Sequence, residues 1–257
     1  MLTTLAQELE PLLLSQGRLI QLPEHRQTVY VGDTHGDRQA TEAVLRRWLG
    51  NGTILVFLGD TVDRGPDSYG NLSLILQAKK DHPESVFLLM GNHEAWTVST
   101  FAPADFWDSL TPEEEQVLGD VLNALPFAAW HPAGVLATHA GLPKVEMLAA
   151  IPSIALGSPA WRDMVWGDWS DHPPNVSAAW HSIRPTYGES EFRQRMDRLG
   201  ARVLVRSHQP RAPQYLYKDR CLTVFTSSAY GPGDRTVACL DPISPPETAR
   251  GLELIRL

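Results

Sequence analysis

Three short polar motifs, each placed directly after an apolar run, constrain the fold of this chain more than any other feature. The motifs are GDTHGD (32–37), GDTVDRG (59–65) and GNHE (91–94). The runs before them, TVYV, TILVFL and VFLLM, are typical of buried strands. Two stretches with helical periodicity, 37–49 and 67–80, lie between the runs. The pattern therefore predicts a β-α-β-α-β unit with strands at 28–32, 53–58 and 85–90.

Side chains that bind metals are concentrated at the carboxyl ends of these predicted strands, where ligands bind in open α/β sheets. Asp33 and His35 lie around one turn, and Asp60 at the end of the next strand can bridge two ions with its two oxygens. His139 in ATHAG and His208 in VRSHQP follow later strand-like runs. Carboxylate and amide oxygens suit hard divalent cations, and imidazole suits Mn, Fe and Zn. The expected ligands are Asp33, His35, Asp60, Asn92, His139 and His208.

A pair of ions at this edge would fit a phosphate ester. Two divalent ions ~3.5–4 Å apart clamp a phosphoryl group and lower the pKa of a shared water toward ~7, which gives a hydroxide for in-line attack on phosphorus. The ions carry four positive charges, of which Asp33 and Asp60 neutralise two. Two arginines are candidates for bidentate phosphate contacts. Arg64 lies four residues after Asp60, and Arg184 precedes a predicted helix at 190–199.

His93 and Asp63 are candidates for acid catalysis. His93 follows Asn92 directly and should lie beside the metals without binding them. A carboxylate from Asp63 would raise the pKa of His93 and fix its tautomer. We expect His93 to protonate the leaving alkoxide, because an alkyl alcohol leaves poorly without a proton.

The chain resembles the PPP-type serine/threonine phosphatases of the calcineurin-like metallophosphoesterase superfamily. The resemblance covers about 28–235 and rests on GDTHG, GDTVDRG, GNHE, THAG, VWGDWSD, RSHQP and SSAYGPG. It implies an α/β fold, a two-sheet β-sandwich flanked by helices, that holds two ions, with Mn²⁺ expected first and Fe or Zn²⁺ as alternatives. It also implies the six ligands above, phosphate binding by Arg64, Arg184 and Asn92, an acid pair of Asp63 with His93, and a cleft position for Tyr230. The implied substrates are phosphoserine and phosphothreonine in proteins, with phosphotyrosine as a further one.

The chain departs from the family pattern at three places. Met90 stands before GNHE, where a basic residue is usual, and Gly231 follows Tyr230, where many eukaryotic members have Cys. The stretch from Arg184 to Gly188 is shorter than in the eukaryotic enzymes. The chain resembles a compact bacterial-type member of the family.

Two other functions remain open from the sequence. The RGPDS stretch at 64–68 is similar to the symmetrical diadenosine tetraphosphatases, which share the core, although Asp63 and Glu94 favour the protein phosphatases. A base-binding pocket built from 95–130 would favour the nucleotide hydrolase. A phosphoprotein-binding scaffold on the same fold is the non-enzyme alternative, and the intact ligand set argues against it.

Size and composition fit one domain over 1–257, with an N-terminal helical segment at 1–27 packed on it, although 257 residues could also form two small domains. The segment 95–130 is predicted to be helical and to cover the site, with a capping box at 111–114.

A net charge of −8 and a pI near 5.6 argue against a nucleic-acid partner. We expect Cys221 and Cys239 to be buried free thiols and the first twenty residues to be no signal peptide. A cytoplasmic phosphatase is therefore expected, with a phosphorylated protein or peptide as its substrate, no membrane span and no obligate partner evident.

Overall fold

A computed structural model describes residues 2–171, 184–231 and 235–257. Its α-helices are α1 (Leu2–Gln16), α2 (Arg38–Trp48), α3 (Ser68–Asp81), α4 (Pro112–Leu122), α5 (Pro159–Trp166) and α6 (Glu189–Leu199). Short 3-10 helices cover Trp107–Ser109, Leu148–Ser153 and Ala249–Gly251. None of the helices in these described ranges is long and apolar enough to cross a membrane.

Thirteen strands form two large sheets and one small one in the described ranges. The strands are β1 (Leu19–Gln21), β2 (Thr28–Val31), β3 (Ile54–Phe57), β4 (Val86–Leu88), β5 (Ala128–His131), β6 (Val135–Thr138), β7 (Asp168–Trp169), β8 (Thr186–Tyr187), β9 (Val203–Arg206), β10 (Tyr215–Leu216), β11 (Cys221–Thr223), β12 (Thr236–Leu240) and β13 (Glu253–Arg256). One sheet has the order β1-β5-β6-β9-β11-β10, the second β13-β12-β2-β3-β4, and the third pairs β7 with β8.

The parallel strands β2, β3 and β4 bring the three motifs to one edge of the five-stranded sheet. Val31 pairs with Phe57 and Phe57 with Leu88, so the strands end at nearly the same level. Every residue of these strands is buried, because helices cover one face and the other sheet covers the opposite face. This register places the polar residues after each strand next to one another.

Two apolar cores hold the layers together. One core contains alternate residues of both large sheets, such as Tyr30, Val56 and Val205, and none from α1 to α6, so the sheets face each other across it. The other core joins the outer sheet faces to the helices, and its members include Val44 of α2, Ile75 of α3 and Phe57 of β3. An α/β sandwich of mixed sheets flanked by helices, the predicted fold class, is confirmed.

Several predicted elements differ from the structure outside the motifs. The segment 95–130 is not helical throughout, because only Trp107–Ser109 and α4 are helical and its last residues form β5. The predicted N-terminal helix is α1, but β1 follows it and pairs in parallel with β5. The sequence AAWH lacks the alternation of a half-buried strand, and β5 is fixed by its neighbours β1 and β6 instead. The capping box is confirmed, since Thr111 and Glu114 exchange hydrogen bonds at the start of α4.

The two cysteines, Cys221 and Cys239, are both buried and free, as predicted.

Candidate metal and phosphate site

Three of the candidate ligands, and two residues beside them, have a backbone conformation that L-residues adopt reluctantly. Of the eight non-glycine residues with positive φ in the described ranges, five lie here. They are His35 (42°), Asp60 (51°), Asp63 (64°), Arg64 (71°) and His208 (70°). Each such residue costs on the order of 1–3 kcal/mol and persists only where the surroundings determine it. Clustered strain of this kind points to a functional site.

Asp60 belongs to two buried groups of possible metal donors. In one group, donor atoms of His35, Asp60 and His93 lie within 4.8 Å of one another, and in the other those of Asp60, His139 and His208 do so. His35 Nε2 lies 3.8 Å from Oδ2 of both Asp60 and Asp33. A carboxylate shared by two groups is what a bridge between two ions requires.

The second group also contains Asn92. Its Oδ1 lies 3.2 Å from His139 Nε2, which in turn lies 3.1 Å from His208 Nδ1 and 3.4 Å from Asp60 Oδ2. The structure thus brings together the six ligands predicted from sequence. It also brings His93, which was expected beside the metals, to 3.8 Å from Asp60 Oδ2 through Nε2.

The tautomers of two histidines show that the site fits a cation. His35 Nδ1 lies 2.9 Å from the Val62 carbonyl and His139 Nδ1 lies 2.9 Å from the Leu58 carbonyl, so both Nδ1 atoms donate. In the neutral imidazole, the form that binds metals, each Nε2 then carries a lone pair toward the other donors. His139 Nε2 therefore meets the acceptor oxygens of Asn92 and Asp60, and these acceptors need a positive charge between them. The donor set, buried imidazole with carboxylate and amide oxygen, suits a divalent transition metal.

The electrostatics of the buried groups agree with this conclusion. Burial would lower the pKa of His139, but Asp60 and Asp33 raise it to about 9, so a proton is held where a cation would lie. Burial and the neighbouring Asp60 raise the pKa of Asp33 to about 7. Burial and His93 lower the pKa of His35 to about 4, which keeps its imidazole neutral, the form that binds metals.

His93 and Asp63 form a buried pair next to these groups. His93 Nδ1 lies 2.6 Å from Asp63 Oδ2. Burial opposes protonation of His93, yet Asp60 and Asp63 raise its pKa. The backbone of His93 is fixed at both ends, since its N–H donates to Asp60 Oδ1 (2.9 Å) and its carbonyl accepts from Trp107 Nε1 (2.8 Å). Its Nε2 is left to face the cavity.

Glu94 supports the site in a way that the sequence did not reveal. Its fully buried carboxylate accepts the backbone N–H groups of Asp60 (2.7 Å), Thr61 (2.7 Å) and Gly91 (2.9 Å) and the Thr61 hydroxyl (2.8 Å). Glu94 therefore joins the second motif to the third. Gly59 allows the same approach, because it has φ 102° and a Cβ there would collide with Gly91.

A cavity of about 330 Å³ opens beside the two donor groups. Its lining includes predicted residues on several different elements, namely Asp60, Arg64, Asn92, His93, Arg184 and Tyr230, and the apolar side chains Phe101 and Trp166. The two candidate phosphate-binding arginines thus line the same cavity as the metal donors. Tyr230 lies over His35, with ring centroids 5.4 Å apart in an edge-on arrangement.

Asp168 holds Arg184 at this cavity and was not singled out from the sequence. Arg184 Nε and Nη2 donate to Asp168 Oδ2 (2.9 Å) and Oδ1 (2.6 Å). Asp168 Oδ1 also lies 3.6 Å from His208 Nε2. One carboxylate therefore contacts both a candidate phosphate ligand and a candidate metal ligand. Its only sequence signal was its place in VWGDWSD.

Comparison with known proteins identifies the family. The profile of the calcineurin-like phosphoesterase family matches residues 27–212, and the chain belongs to this family. It is 29% identical over 225 residues to the serine/threonine-protein phosphatase PP2A-like PPG1 of Candida albicans, which covers 78% of this chain and 51% of that protein. The chain spans about half the length of the curated relatives it matches.

Two solved structures share the fold. A protein serine/threonine phosphatase from Saccharomyces cerevisiae with similarity to human phosphatase PP5 has a TM-score of 0.80 at 20% identity, covering 100% of this chain and 88% of that one. A putative diadenosine tetraphosphatase has a TM-score of 0.52 at 20% identity, covering 94% and 97%. At these identities the likeness concerns the fold alone.

Proposed function

We propose that this protein hydrolyses phosphoserine and phosphothreonine in proteins, with phosphotyrosine as a further substrate. The observation that carries the proposal is the shared Asp60 of two buried donor groups beside the Asp63–His93 pair. The donor groups suit any phosphate ester, whereas the acid pair is needed for a poor alkoxide leaving group. The named activity of the Candida relative supports the same substrate class.

Two divalent ions, Mn²⁺ in the first place and Fe or Zn²⁺ otherwise, are the proposed cofactors. Such ions would activate water as a nucleophile and neutralise charge on the phosphoryl group. Asp33, His35 and Asp60 would hold one ion, and Asp60, Asn92, His139 and His208 the other. The lone pairs on the Nε2 atoms of His35 and His139 support this assignment.

The chain's own residues bind the substrate and move the proton. Arg64 and Arg184 bind the phosphoryl oxygens, because both line the cavity and guanidinium matches a phosphate in a bidentate manner. Asn92 and Tyr230 line the same cavity and contact the substrate. His93 holds a proton on Nε2 and donates it to the leaving oxygen, while Asp63 fixes the tautomer through Nδ1.

Substrate, compartment and domain organisation are proposed together. A phosphorylated protein or peptide is the proposed partner, with no nucleic acid and no membrane, and no obligate partner is evident from the sequence. The two buried free thiols support a reducing compartment, the cytoplasm. We propose one domain over 1–257, supported by β1, which joins the N-terminal segment to the six-stranded sheet.

Hydrolysis of diadenosine tetraphosphate is the second candidate. It is favoured by one specific observation, because Phe101 from the 95–130 segment lies in the cavity wall with its ring 5.6 Å from that of Trp166. Aromatic rings at that place could stack against a base. A scaffold that binds phosphoproteins without turnover is the non-enzyme alternative.

The test is a paired assay of the protein stripped of metal and reloaded with Mn²⁺. The kcat/KM values for a phosphoserine peptide and for diadenosine tetraphosphate are compared. Metal-dependent turnover mainly of the peptide is expected. Turnover mainly of the dinucleotide would reject the protein substrate and keep the metal site. Stoichiometric peptide binding without turnover, at full metal loading, would support the scaffold.

A further inference from the structure

We propose that Asp37 is a positioning residue that clamps the turn at 227–231 and so fixes Tyr230 at the mouth of the cavity. The inference rests on the proposed function, in which Tyr230 contacts the substrate. It assigns a role to Asp37, the last residue of GDTHGD, which is neither a metal donor nor part of the acid pair.

Asp37 makes more hydrogen bonds than its place in the helix requires. It is the N-cap of α2, and that role uses one bond, from the Ala40 N–H to Oδ1 (3.1 Å). Arg235 adds Nη2 to Oδ1 (2.9 Å) and Nε to Oδ2 (2.8 Å), while the N–H and the hydroxyl of Ser228 both donate to Oδ2 at 2.9 Å. Four of the five bonds therefore come from the segment around the turn.

The carboxylate is buried, and its two oxygens accept all five hydrogen bonds. The Asp37 side chain is 4% exposed. Its bonds from Arg235 join opposite charges, and Ser228 adds two further donors. Charge-assisted bonds of this kind are about twice as strong as neutral ones.

Tyr230 is nearly half exposed, and its contacts with the metal site are long. It is 46% exposed. Its ring meets those of His35 and Phe225 edge-on, at 5.4 Å and 6.1 Å between centroids, and its hydroxyl lies 3.4 Å from His35 Nε2. Because these contacts are long, the backbone of the turn also has to hold Tyr230 in place. Within the turn, the Ala229 N–H donates to Ser227 Oγ (3.0 Å) and the Gly231 N–H to the Ser228 carbonyl (3.3 Å).

The clamp connects this turn to the loop that carries two candidate metal ligands. Asp37 lies two residues after His35, and its N–H donates to the Thr34 carbonyl (2.8 Å). The position of Tyr230 is thus fixed relative to the loop that carries Asp33 and His35, and not only relative to the strand that follows the turn. A substrate held between the metals and Tyr230 would meet a cavity mouth of fixed width.

Hydrogen exchange of the manganese-loaded protein tests the clamp without any assay of activity. Asp37→Asn keeps an N-cap of nearly equal strength but removes the charge and one of the two oxygens that accept from Arg235. Exchange of the amides at 227–231 is expected to rise roughly tenfold. Asp67→Asn is the matched control, because Asp67 caps α3 through the Gly70 N–H (2.8 Å) and contacts no residue of the turn in the described hydrogen bonds and ion pairs. Equal exchange in the two variants would overturn the clamp.

A double-mutant cycle tests whether the clamp acts through Tyr230. On a phosphoserine peptide, Asp37→Asn is expected to raise KM roughly threefold to tenfold, with a smaller effect on kcat. In a Tyr230→Ala background the same change should add almost nothing. Additive effects would overturn the positioning role. A wild-type protein that does not turn over the peptide would reject the proposed function instead, and the exchange measurement would still decide the clamp.

Discussion

His93 Nδ1 lies 2.6 Å from Asp63 Oδ2, and the other oxygen of that carboxylate accepts the Phe106 backbone N–H at 2.7 Å. The carboxylate is therefore fixed from two sides, and it fixes the imidazole in turn. Since Nδ1 is occupied, the proton that His93 can exchange with a substrate is on Nε2. This relationship places an oriented acid beside the candidate metal donors.

His93→Asn should reduce kcat/KM for a phosphoserine peptide by about 10²–10⁴-fold, the usual contribution of a general acid. The loss on p-nitrophenyl phosphate should be much smaller, because nitrophenolate leaves without a proton. Parallel kinetics on both substrates measure the difference. His82→Asn, at an exposed histidine after α3, is the control and should change neither. Equal losses on the two substrates would reject the acid role.

Asp60→Asn should lose bound metal and nearly all activity, because an amide offers one oxygen where the bridge needs two anionic ones. Elemental analysis after reloading with Mn²⁺ gives the number of ions per chain. Asp81→Asn is a suitable control, since Asp81 is exposed and bonds only to Gln77 among the hydrogen bonds of the described residues. A variant with two ions and full rate would contradict the bridging assignment.

Glu94→Gln should destabilise the protein by about 2–3 kcal/mol and weaken metal retention. In the wild type these donors meet carboxylate oxygens, whereas glutamine presents an NH₂ group in place of one of them. At least one buried backbone N–H near Asp60 or Gly91 therefore loses its acceptor. Urea unfolding measures the free energy. Glu113→Gln, exposed in the first turn of α4, provides the comparison. An unchanged midpoint and slope would show that Glu94 does not hold the motifs together.

Asp168→Asn should weaken inhibition by inorganic phosphate roughly fivefold to tenfold, because Arg184 loses the bidentate partner that holds it at the cavity. The inhibition constant is measured at fixed Mn²⁺ with p-nitrophenyl phosphate as substrate. Asp219→Asn is a matched control, as Asp219 pairs in the same way with Arg250 on the surface. The role of Asp168 is refuted by an inhibition constant equal to that of the wild type.

Lys79→Met should change how stability depends on pH. Burial lowers the pKa of Lys79 from 10.5 to about 8, so between these values the unfolded chain binds more protons and wild-type stability rises with pH. Below pH 8 Lys79 is protonated in both the folded and the unfolded chain, so its contribution to the free energy of unfolding does not change with pH. The variant should lack this rise. At pH 7 its free energy of unfolding should be higher than that of the wild type, by on the order of 1–3 kcal/mol. The loss of the hydrogen bond from Nζ to the Pro83 carbonyl offsets part of this gain.

Urea unfolding at pH 7 and pH 10 measures both quantities. Lys80→Met is the control, because Lys80 is exposed and paired with Glu8. A wild-type rise that persists in Lys79→Met would mean that other groups cause it.

Much of the site could be predicted from sequence, because its ligands follow strands directly. Asp33, Asp60 and Asn92 come after apolar runs, and parallel pairing of those runs forces them to one edge. His139 was placed by the same rule after β6. Local pattern and sheet geometry agree at these positions, so the spatial site can be inferred from positions far apart in the chain.

The supporting residues could not be predicted in the same way. Glu94, Asp37 and Asp168 act through hydrogen bonds to partners as distant as Arg235, and no local periodicity reports such contacts. The strand β5 was missed for a related reason, since its partners β1 and β6 decide its conformation. Long-range pairing, not propensity, fixes these parts of the fold.

Five residues at the site have a left-handed backbone, which affects how this protein would lose activity. They are His35, Asp60, Asp63, Arg64 and His208. The strands beneath these turns are buried on both faces, whereas the turns themselves are held by bonds among a few polar groups and by whatever cation the donors share. When the ion is withdrawn, the turns can relax toward ordinary backbone while the sheets persist. Activity should therefore be lost with the metal while the core stays folded, and return of the metal should restore it without refolding of the core.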